Sequence, residues 1–328
     1  MNTYCLDIQA ESPFLTPLQS DTIFGHIAWA IVYDQGENRL QQVLAEFRSG
    51  NPPFLVSSAF PRGMLPLPIL PAIEHGGVEK LSSQLYSDGE NVSSLRKTIE
   101  KIKRLKKVQY LDIGSFPDIA QSLTTYSLTW KLLSTAKNHR DDITEERTVM
   151  HTAVNRITGV AQEGALFPYD EIAYQTRLSI WFKLSDISWK PELERWLKII
   201  EGSGFGKRKS VGLGQFKIAS MTEAHLPEIA NPNAFMALSS FIPKENDPIE
   251  GYYKYIVKRG KLGGPWALGG RVWKKPLLML ASGSIFYSGG KIQSHYGSLI
   301  PEIHQDRPEV AQYALAFPLG IRLGEQII

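Results

Sequence analysis

The sequence predicts a mixed α+β protein of two units, and three features of its 328 residues carry that prediction. Short runs in which apolar and polar residues alternate are typical of strands with one buried face. Between such runs, other stretches carry apolar residues at helical spacing. A long, polar, glycine-punctuated stretch separates the early strands from the later ones. We therefore expect an antiparallel sheet with helices on one face, a large insertion, and a second unit after it.

The first part of the chain supplies the opening elements of this sheet. Residues 4–10 alternate as a strand does. Ser20 or Asp21 is then expected to cap a helix, since short polar side chains satisfy the free N–H groups of the first turn. A second helix over residues 39–47 leads to a strand over residues 52–60.

Two residues inside the first predicted helix are unusual for their position. Glycine lowers helix stability by about 1 kcal/mol relative to alanine, so Gly25 predicts close packing or close backbone contact. His26 lies at the edge of the apolar stripe. A lone histidine in such a place is more often a polar helix residue than an acid or a base.

An insertion over residues of about 61–172 follows the second strand. It begins with a proline-rich run over 61–71, which cannot form a regular helix, and continues through a serine-rich linker over 82–94. Residues 95–107 then predict a helix with an apolar stripe and seven outward-facing cations against Glu100. A solvated surface, an RNA contact and an acidic protein partner all fit this charge pattern.

The insertion ends in a polar segment, residues 148–168, with Thr158 and Gly159 at its centre. Its alternation predicts a projecting β-hairpin. Four polar or basic side chains lie on the arms: Arg147, His151, Asn155 and Arg156. A projecting arm with such side chains is suited to reaching a partner molecule.

A glycine-rich loop over residues 202–216 joins a predicted helix, 191–200, to a predicted strand, 215–219. Five glycines permit positive φ and close approach of a partner: Gly202, Gly204, Gly206, Gly212 and Gly214. Three cations stand at the centre: Lys207, Arg208 and Lys209. The pattern predicts a phosphate-binding loop. Walker A and dinucleotide-binding loops are excluded because both open a helix, whereas this loop follows one.

With a strand over residues 174–184, the order becomes βαββαβ once the insertion is removed. This is the ferredoxin-like (RRM-like) plan, and we assign it to residues 1–220. Residues 221–328 show five further strand patterns separated by glycine and proline turns, with weak helix signals. We expect a second, degenerate ferredoxin-like domain there.

Composition limits the remaining possibilities. The net charge of +3 is small, so any nucleic-acid surface must come from local clusters of cations. Cys5 is the sole cysteine, which excludes an intrachain disulfide and favours a reducing compartment. We expect a cytoplasmic protein without a membrane segment. We also expect no metal and no cofactor. The histidines lack the spacing of metal ligands, and acidic pairs such as Asp141 and Asp142 are typical of solvated loops.

Three motifs in the same order resemble the RAMP superfamily of CRISPR proteins. They are the turn at Ser12, Pro13 and Phe14 with residues 20–26, the hairpin over 155–167, and the loop over 204–214. Within that superfamily the chain is most similar to the Csm-type subunit of type III interference complexes that holds the 5′ handle of the crRNA. The resemblance covers most of residues 1–220 and the rest more loosely.

The resemblance implies a non-catalytic RNA-binding subunit whose hairpin is the family's thumb. Its implied partners are crRNA, the large polymerase-like subunit, the backbone RAMP subunits, and target RNA near the thumb. The implied RNA contacts of the first helix and the thumb are Ser20, His26, Arg147, Asn155 and Arg156. Those of the loop are Gly204, Phe205, Gly206, Lys207, Arg208, Lys209, Ser210, Gly212 and Gly214.

A different function remains open at this point. Some RAMP relatives are metal-independent endoribonucleases that process precursor crRNA. His26 would then be the general base for a ribose 2′-hydroxyl, and Lys207 would stabilise the phosphorane. The histidines that could assist it, His139 and His151, lie in the insertion and form no motif with His26. A structural module without RNA contact is a third possibility.

Overall fold

The computed structural model describes residues 1–86, 91–135 and 143–324 and confirms the α+β class. Its α-helices are α1 Ser20–Gln35, α2 Glu37–Arg48, α3 His75–Leu85, α4 Val92–Leu105, α5 Phe116–Ala120, α6 Thr125–Ser134 and α7 Trp189–Ser203. Its strands are β1 Asn2–Ala10, β2 Phe54–Pro61, β3 Met64–Pro66, β4 Tyr110–Asp112, β5 Thr144–Val154, β6 Ala161–Tyr174, β7 Leu178–Leu184, β8 Phe216–Glu223, β9 Ala234–Ala237, β10 Gly251–Tyr252, β11 Tyr255–Lys258, β12 Leu277–Leu280, β13 Ile285–Tyr287, β14 Tyr296–Ile300, β15 Gln312–Ala316 and β16 Pro318–Ile321.

The first sheet has the strand order β2-β7-β1-β8, and all its pairs are antiparallel. Helices α1 and α7 pack against each other beside β2 and β8, so they cover one face. Leu193, Trp196 and Ile27 fill the space between helices and sheet and are buried. The strands and helices predicted for residues 1–220 therefore occur in the predicted order around this sheet.

The insertion contains more helix than its sequence predicted. The serine-rich stretch over 82–94 is helical on both sides of residues 87–90, which lie outside the described part of the chain. The prediction of a linker there is wrong for the described residues. Asn91 caps α4, because its side chain accepts a hydrogen bond from Ser93 N at 3.1 Å. The predicted basic helix is confirmed as α4, and the predicted hairpin as the antiparallel pair β5 and β6.

The second half is built from strands and loops. One sheet has the order β10-β13-β9-β16, and β11–β12 and β14–β15 form two-stranded ribbons. The five predicted strands are present, but residues 221–324 contain no α-helix and only a 3₁₀ turn at Gly264–Ala267. The helices that a second ferredoxin-like unit requires are thus absent from these residues. Glycine and proline pairs such as Gly264-Pro265 and Gly289-Gly290 interrupt the segments between strands.

One apolar core extends across both halves. The cluster that contains Trp196 and Phe182 also contains Met236, Tyr313 and Phe317 from the second half. Polar contacts reinforce it: the Val56 N–H donates to Tyr313 Oη at 3.1 Å, within the buried interior. The boundary near residue 220 remains a prediction, since the two halves bury their apolar surfaces against each other.

Candidate RNA-binding site

The turn between β1 and α1, residues 12–16, holds the glycine-rich loop in place. Gly214 N donates to Pro13 O at 2.8 Å, and Lys207 N donates to Thr16 Oγ1 at 3.1 Å. Gln215 N donates to Ser12 Oγ at 2.8 Å. The loop is therefore ordered by contacts with a turn nearly 200 residues earlier in the chain.

The same turn also holds the base of the hairpin. Phe14 and Ile172 exchange two backbone hydrogen bonds, at 2.9 and 2.8 Å. The Phe14 ring is buried and lies 5.5 Å from the ring of Tyr174 and 6.1 Å from that of Phe205. Loop and hairpin thus meet at one anchor.

Positive φ angles confirm the conformational role predicted for four of the five loop glycines: Gly204, Gly206, Gly212 and Gly214. Gly202 instead lies within α7. At Gly214 a Cβ atom would lie 2.0 Å from Phe205 O, and at Gly206 it would lie 2.7 Å from the Thr16 side chain. Close approach of backbone to its neighbours requires glycine at both positions.

His26 is the link between α1 and the loop. Gly206 N donates to its Nε2 at 3.0 Å, and its ring stacks on Phe205 at 4.3 Å. Burial and, to a lesser extent, the charge of Lys209 together lower the pKa of the imidazole to about 4. The ring is therefore neutral at pH 7, with its proton on Nδ1 and its Nε2 lone pair occupied by the loop.

In this arrangement the Nε2 atom of His26 is not free to act as a general base. The Nε2 lone pair of His26 already accepts a hydrogen bond. His151 lies on the hairpin, 4.9 Å from the ring of Tyr169, and has no contact with His26. His139 lies outside the described residues.

The loop presents cations to solvent. Lys207 and Arg208 are exposed, as is Ser210, while Lys209 is half-buried and its Nζ lies 3.4 Å from Ser203 Oγ. Burial lowers the pKa of Lys209. Among the ion pairs of the described residues, none includes any of the three cations. They are free to pair with phosphate groups.

Arg208 connects the loop to the hairpin. Its φ of 60° is left-handed, and its guanidinium lies 5.3 Å from the centre of the ring of Tyr169 on β6. On the same face of the hairpin, Arg147 pairs with Glu171 at 3.2 Å, and Glu171 is only 4 % exposed. This face therefore combines aromatic rings with guanidinium groups next to the loop.

The hairpin tip carries the other predicted thumb residues. Asn155 Oδ1 accepts a hydrogen bond from Ile157 N at 2.9 Å, so its side chain shapes the turn. Arg156 is exposed, and Ile157 at the tip is 95 % exposed. The tip thus projects a cation and an apolar side chain into solvent.

Two of the residues predicted to contact RNA have buried side chains. Ser20 is fully buried: its N–H donates to Ser58 Oγ, and its own Oγ accepts from Ser240 N at 3.0 Å. It joins the two halves of the molecule. Phe205 is 2 % exposed because its ring packs between His26 and Phe14, so it supports the loop from below.

The remaining charged features lie apart from this anchor. On α4, Arg96 pairs with Glu100 at 3.3 Å, and Lys101 lies 5.0 Å from the ring centre of Tyr86. The described residues contain no group of three or more histidine, cysteine and acidic side chains suited to a metal ion. Within the described ranges, every helix is too short or too polar to cross a membrane.

No protein-family model matches the chain, and no curated protein matches it in sequence. Solved structures match it over nearly its whole length. A chain of a Csm1–Csm4 cassette in complex with cA4 is 18% identical, with a TM-score of 0.57 over 98% of this chain and 99% of that one. A chain of a Csm1–Csm4 cassette in complex with AMPPNP is 17% identical, with a TM-score of 0.58 over 99% and 100%.

A third match comes from a Csm3–Csm4 subcomplex of the type III-A CRISPR–Cas interference complex. It is 17% identical, with a TM-score of 0.53 over 97% of this chain and 99% of that one. Csm4 is the subunit common to the three complexes. The chain therefore has the fold of the Csm4 subunit.

Proposed function

We propose that this protein is a non-catalytic RNA-binding subunit of a type III CRISPR–Cas interference complex, and that it anchors the 5′ handle of the crRNA. One observation carries the proposal: a basic glycine-rich loop and the base of a projecting hairpin are fixed to the same short turn, residues 12–16. The Csm4 fold supports it. In this proposal residues 1–220 act as a ferredoxin-like RNA-binding domain and the hairpin acts as its thumb.

The chemistry of the loop suits a ribose-phosphate chain. Lys207 and Arg208 are exposed and unpaired, so they can neutralise phosphates without first breaking an ion pair. The loop backbone is already held by hydrogen bonds to Pro13, Thr16 and His26, so binding RNA orders few additional groups. Such contacts position an RNA and carry little sequence information.

The proposed partners follow from the fold. The matched structures contain Csm1 or Csm3 beside Csm4. By analogy, this chain links a large polymerase-like subunit to the backbone RAMP subunits, while Asn155 and Arg156 lie near the first guide nucleotides and the target RNA. The absence of catalysis is supported by His26, whose Nε2 lone pair holds the loop.

The test uses the purified full-length chain and labelled repeat RNA in buffer without divalent metal. We expect retention of intact RNA. Replacing Lys207, Arg208 and Lys209 by alanine removes three phosphate contacts, so the slope of log K against log salt becomes shallower by about 2. Defined cleavage products that disappear in His26→Ala would contradict the proposal.

A matched control removes the same charge elsewhere. Arg48, Lys80 and Lys198 are exposed and lie outside the loop, the hairpin and the turn over 12–16. Replacing these three by alanine is expected to leave the salt slope unchanged. Equal weakening by both triple variants would show that overall charge alone determines RNA affinity, and the loop would lose its assigned role.

A further inference from the structure

A cleft of about 120 Å³ lies between α1, α2 and two segments of the second half. Its lining includes the rings of Trp29 and Trp266 and three polar side chains that we call its floor: Asp21, Lys274 and Gln312. The carboxylates of Glu37 and Glu309 also line it. None of these residues takes part in the anchor of the glycine-rich loop. The cleft combines flat aromatic walls with charged groups below them, which is unusual for a gap left by imperfect packing.

Gly25 keeps this cleft open. It lines the cleft from the interior of α1, where glycine lowers helix stability by about 1 kcal/mol relative to alanine. The close packing that the sequence predicted for Gly25 is not found, since an added Cβ would have nothing within 4 Å. No neighbour in the described chain requires glycine here. A side chain at this position would instead occupy part of the open cleft.

The aromatic side of the cleft is held in a fixed position. Gly263 and Gly264 pack against Trp29 so closely that an added Cβ would lie 2.4 and 2.7 Å from its ring. Trp266 meets Trp29 edge to face, with the ring centres 5.3 Å apart, and Arg307 stacks over Trp266 at 4.2 Å. The ring surfaces are therefore preorganised before any ligand arrives.

One side chain of the floor, Lys274, has hydrogen-bond donors available for a ligand. Each carboxylate oxygen of Asp21 already accepts a hydrogen bond, because Lys258 Nζ and Gln312 Nε2 donate to them at 2.9 Å. Within the described part of the chain, Lys274 Nζ makes one hydrogen bond, a long one of 3.4 Å to Gln312 Oε1. Burial lowers its pKa, although Asp21 opposes that shift. An ammonium group has three donors, so Lys274 has donors left for an acceptor in the cleft.

The size and chemistry of the cleft define the ligand. At about 12 Å³ for each water-sized position, the cleft of about 120 Å³ accepts roughly ten non-hydrogen atoms, about as many as adenine contains. A nucleobase has flat faces for aromatic contact and carbonyl or ring-nitrogen acceptors on its edge. A phenylalanine or tryptophan side chain would fill the space but would bring no acceptor for Lys274, and a tyrosine would bring only its single hydroxyl oxygen.

We propose that this cleft binds one unstacked nucleobase of the bound RNA, with an acceptor on its edge facing Lys274. The inference rests on the proposed function and extends it from phosphates to a base. Gly25 and His26 are adjacent on α1, so the cleft and the loop flank the same helix. An RNA held by the loop can therefore place a neighbouring base in the cleft.

The experiment compares two single-stranded RNAs of eight nucleotides, one with bases and one with an abasic ribose-phosphate chain, by fluorescence anisotropy on the full-length protein. We expect the RNA with bases to bind about tenfold more tightly, as stacking of one base predicts. Gly25→Leu fills the cleft, so it should reduce the ratio of the two affinities, RNA with bases to abasic RNA, toward one. The affinity for the abasic chain should stay unchanged. Lys274→Met reduces the ratio several-fold in the same way.

Stability measurements accompany these variants. Gly25→Ala and Gly25→Leu should melt at or above the temperature of the original protein, because both remove a glycine from a helix. If Gly25→Leu does not fold, Lys274→Met decides the result, since it retains the length of the side chain. A ratio unchanged by the folded variants overturns the inference.

The loop variants separate this inference from the proposed function. If alanine at 207, 208 and 209 weakens both RNAs while the cleft variants leave the ratio intact, the loop binds RNA and the cleft does not bind a base. If the loop variants weaken neither RNA, the proposed function fails. If Gly25→Leu instead abolishes association with the large polymerase-like subunit and leaves the ratio intact, the cleft is a protein-docking site and the inference is wrong.

Discussion

His26 joins two parts of the chain that are 180 residues apart, and it does so as a neutral ring. Its Nε2 accepts from Gly206 N, and burial makes protonation unfavourable. Sequence alone placed His26 at the edge of a helix but could not identify its partner. No local pattern encodes a contact between residue 26 and residue 206.

The pH dependence of stability tests this role. In the unfolded chain the imidazole has a pKa of about 6.5, and in the folded chain about 4. Between these values the unfolded state binds more protons, so stability falls as pH falls through this window, by about 2 kcal/mol at pH 5. Urea unfolding at pH 7 and pH 5 measures this change in the free energy of unfolding. The His26→Gln variant keeps an acceptor but does not titrate, so its unfolding free energy should fall by about 2 kcal/mol less between pH 7 and pH 5 than that of the original protein. Equal decreases in the two proteins would contradict the assignment.

Two loop glycines offer a matched comparison. Gly212 and Gly214 both have positive φ, but only at Gly214 would a Cβ collide with backbone, 2.0 Å from Phe205 O. Gly212→Ala should cost about 1 to 2 kcal/mol from backbone strain alone. Gly214→Ala should cost clearly more and weaken RNA binding, because the loop must shift. Denaturant unfolding and the anisotropy assay measure both, and equal losses would show that the close approach is unimportant.

At the scale of elements, the segment α7, loop and β8 was predictable because its signals are local. Pro191 near the helix start, the apolar stripe and the loop glycines all lie within 30 residues. Helices α3, α5 and α6 were not predicted. Two glycines open α3, α5 has only five residues, and α6 begins with a capping box formed by Thr124 and Ser127 instead of the usual glutamate.

The hairpin has its own prediction. If it acts as the thumb, Arg156 at the exposed tip contacts RNA beyond the handle. Arg156→Ala should weaken binding of an RNA that contains handle and guide several-fold, as loss of one phosphate contact implies. Binding of the handle alone should not change. Arg48→Ala, on the surface of α2, should affect neither RNA, and equal weakening of handle-only RNA would place Arg156 elsewhere.

At the scale of the whole molecule, the buried interior joins the halves. Tyr313 of β15 stacks on Phe24 of α1 at 4.8 Å, and its Oη accepts from Val56 N of β2. The composition of residues 221–328 indicated strands but not this shared core, because side-chain patterns do not show which surfaces meet. We expect both halves to unfold in one cooperative transition.

Tyr313→Phe tests this connection. The ring is retained, but the Val56 N–H loses its acceptor inside the protein, which should cost about 1 to 3 kcal/mol. Far-ultraviolet circular dichroism and tryptophan fluorescence should shift to the same lower midpoint. Tyr287→Phe, at a tyrosine that is 38 % exposed, should leave the midpoint unchanged. Two separate transitions would contradict the shared core.

The central position of β1 determines when this protein can assemble during synthesis. Ile8 pairs with Leu178, and Tyr4 pairs with Glu223, so the first strand to leave the ribosome finds its neighbours last. The turn over 12–16 likewise meets Gly214 and Gln215 only late in translation. A nascent chain shorter than about 220 residues therefore has neither a completed first sheet nor an anchored glycine-rich loop, and both arise in the same step.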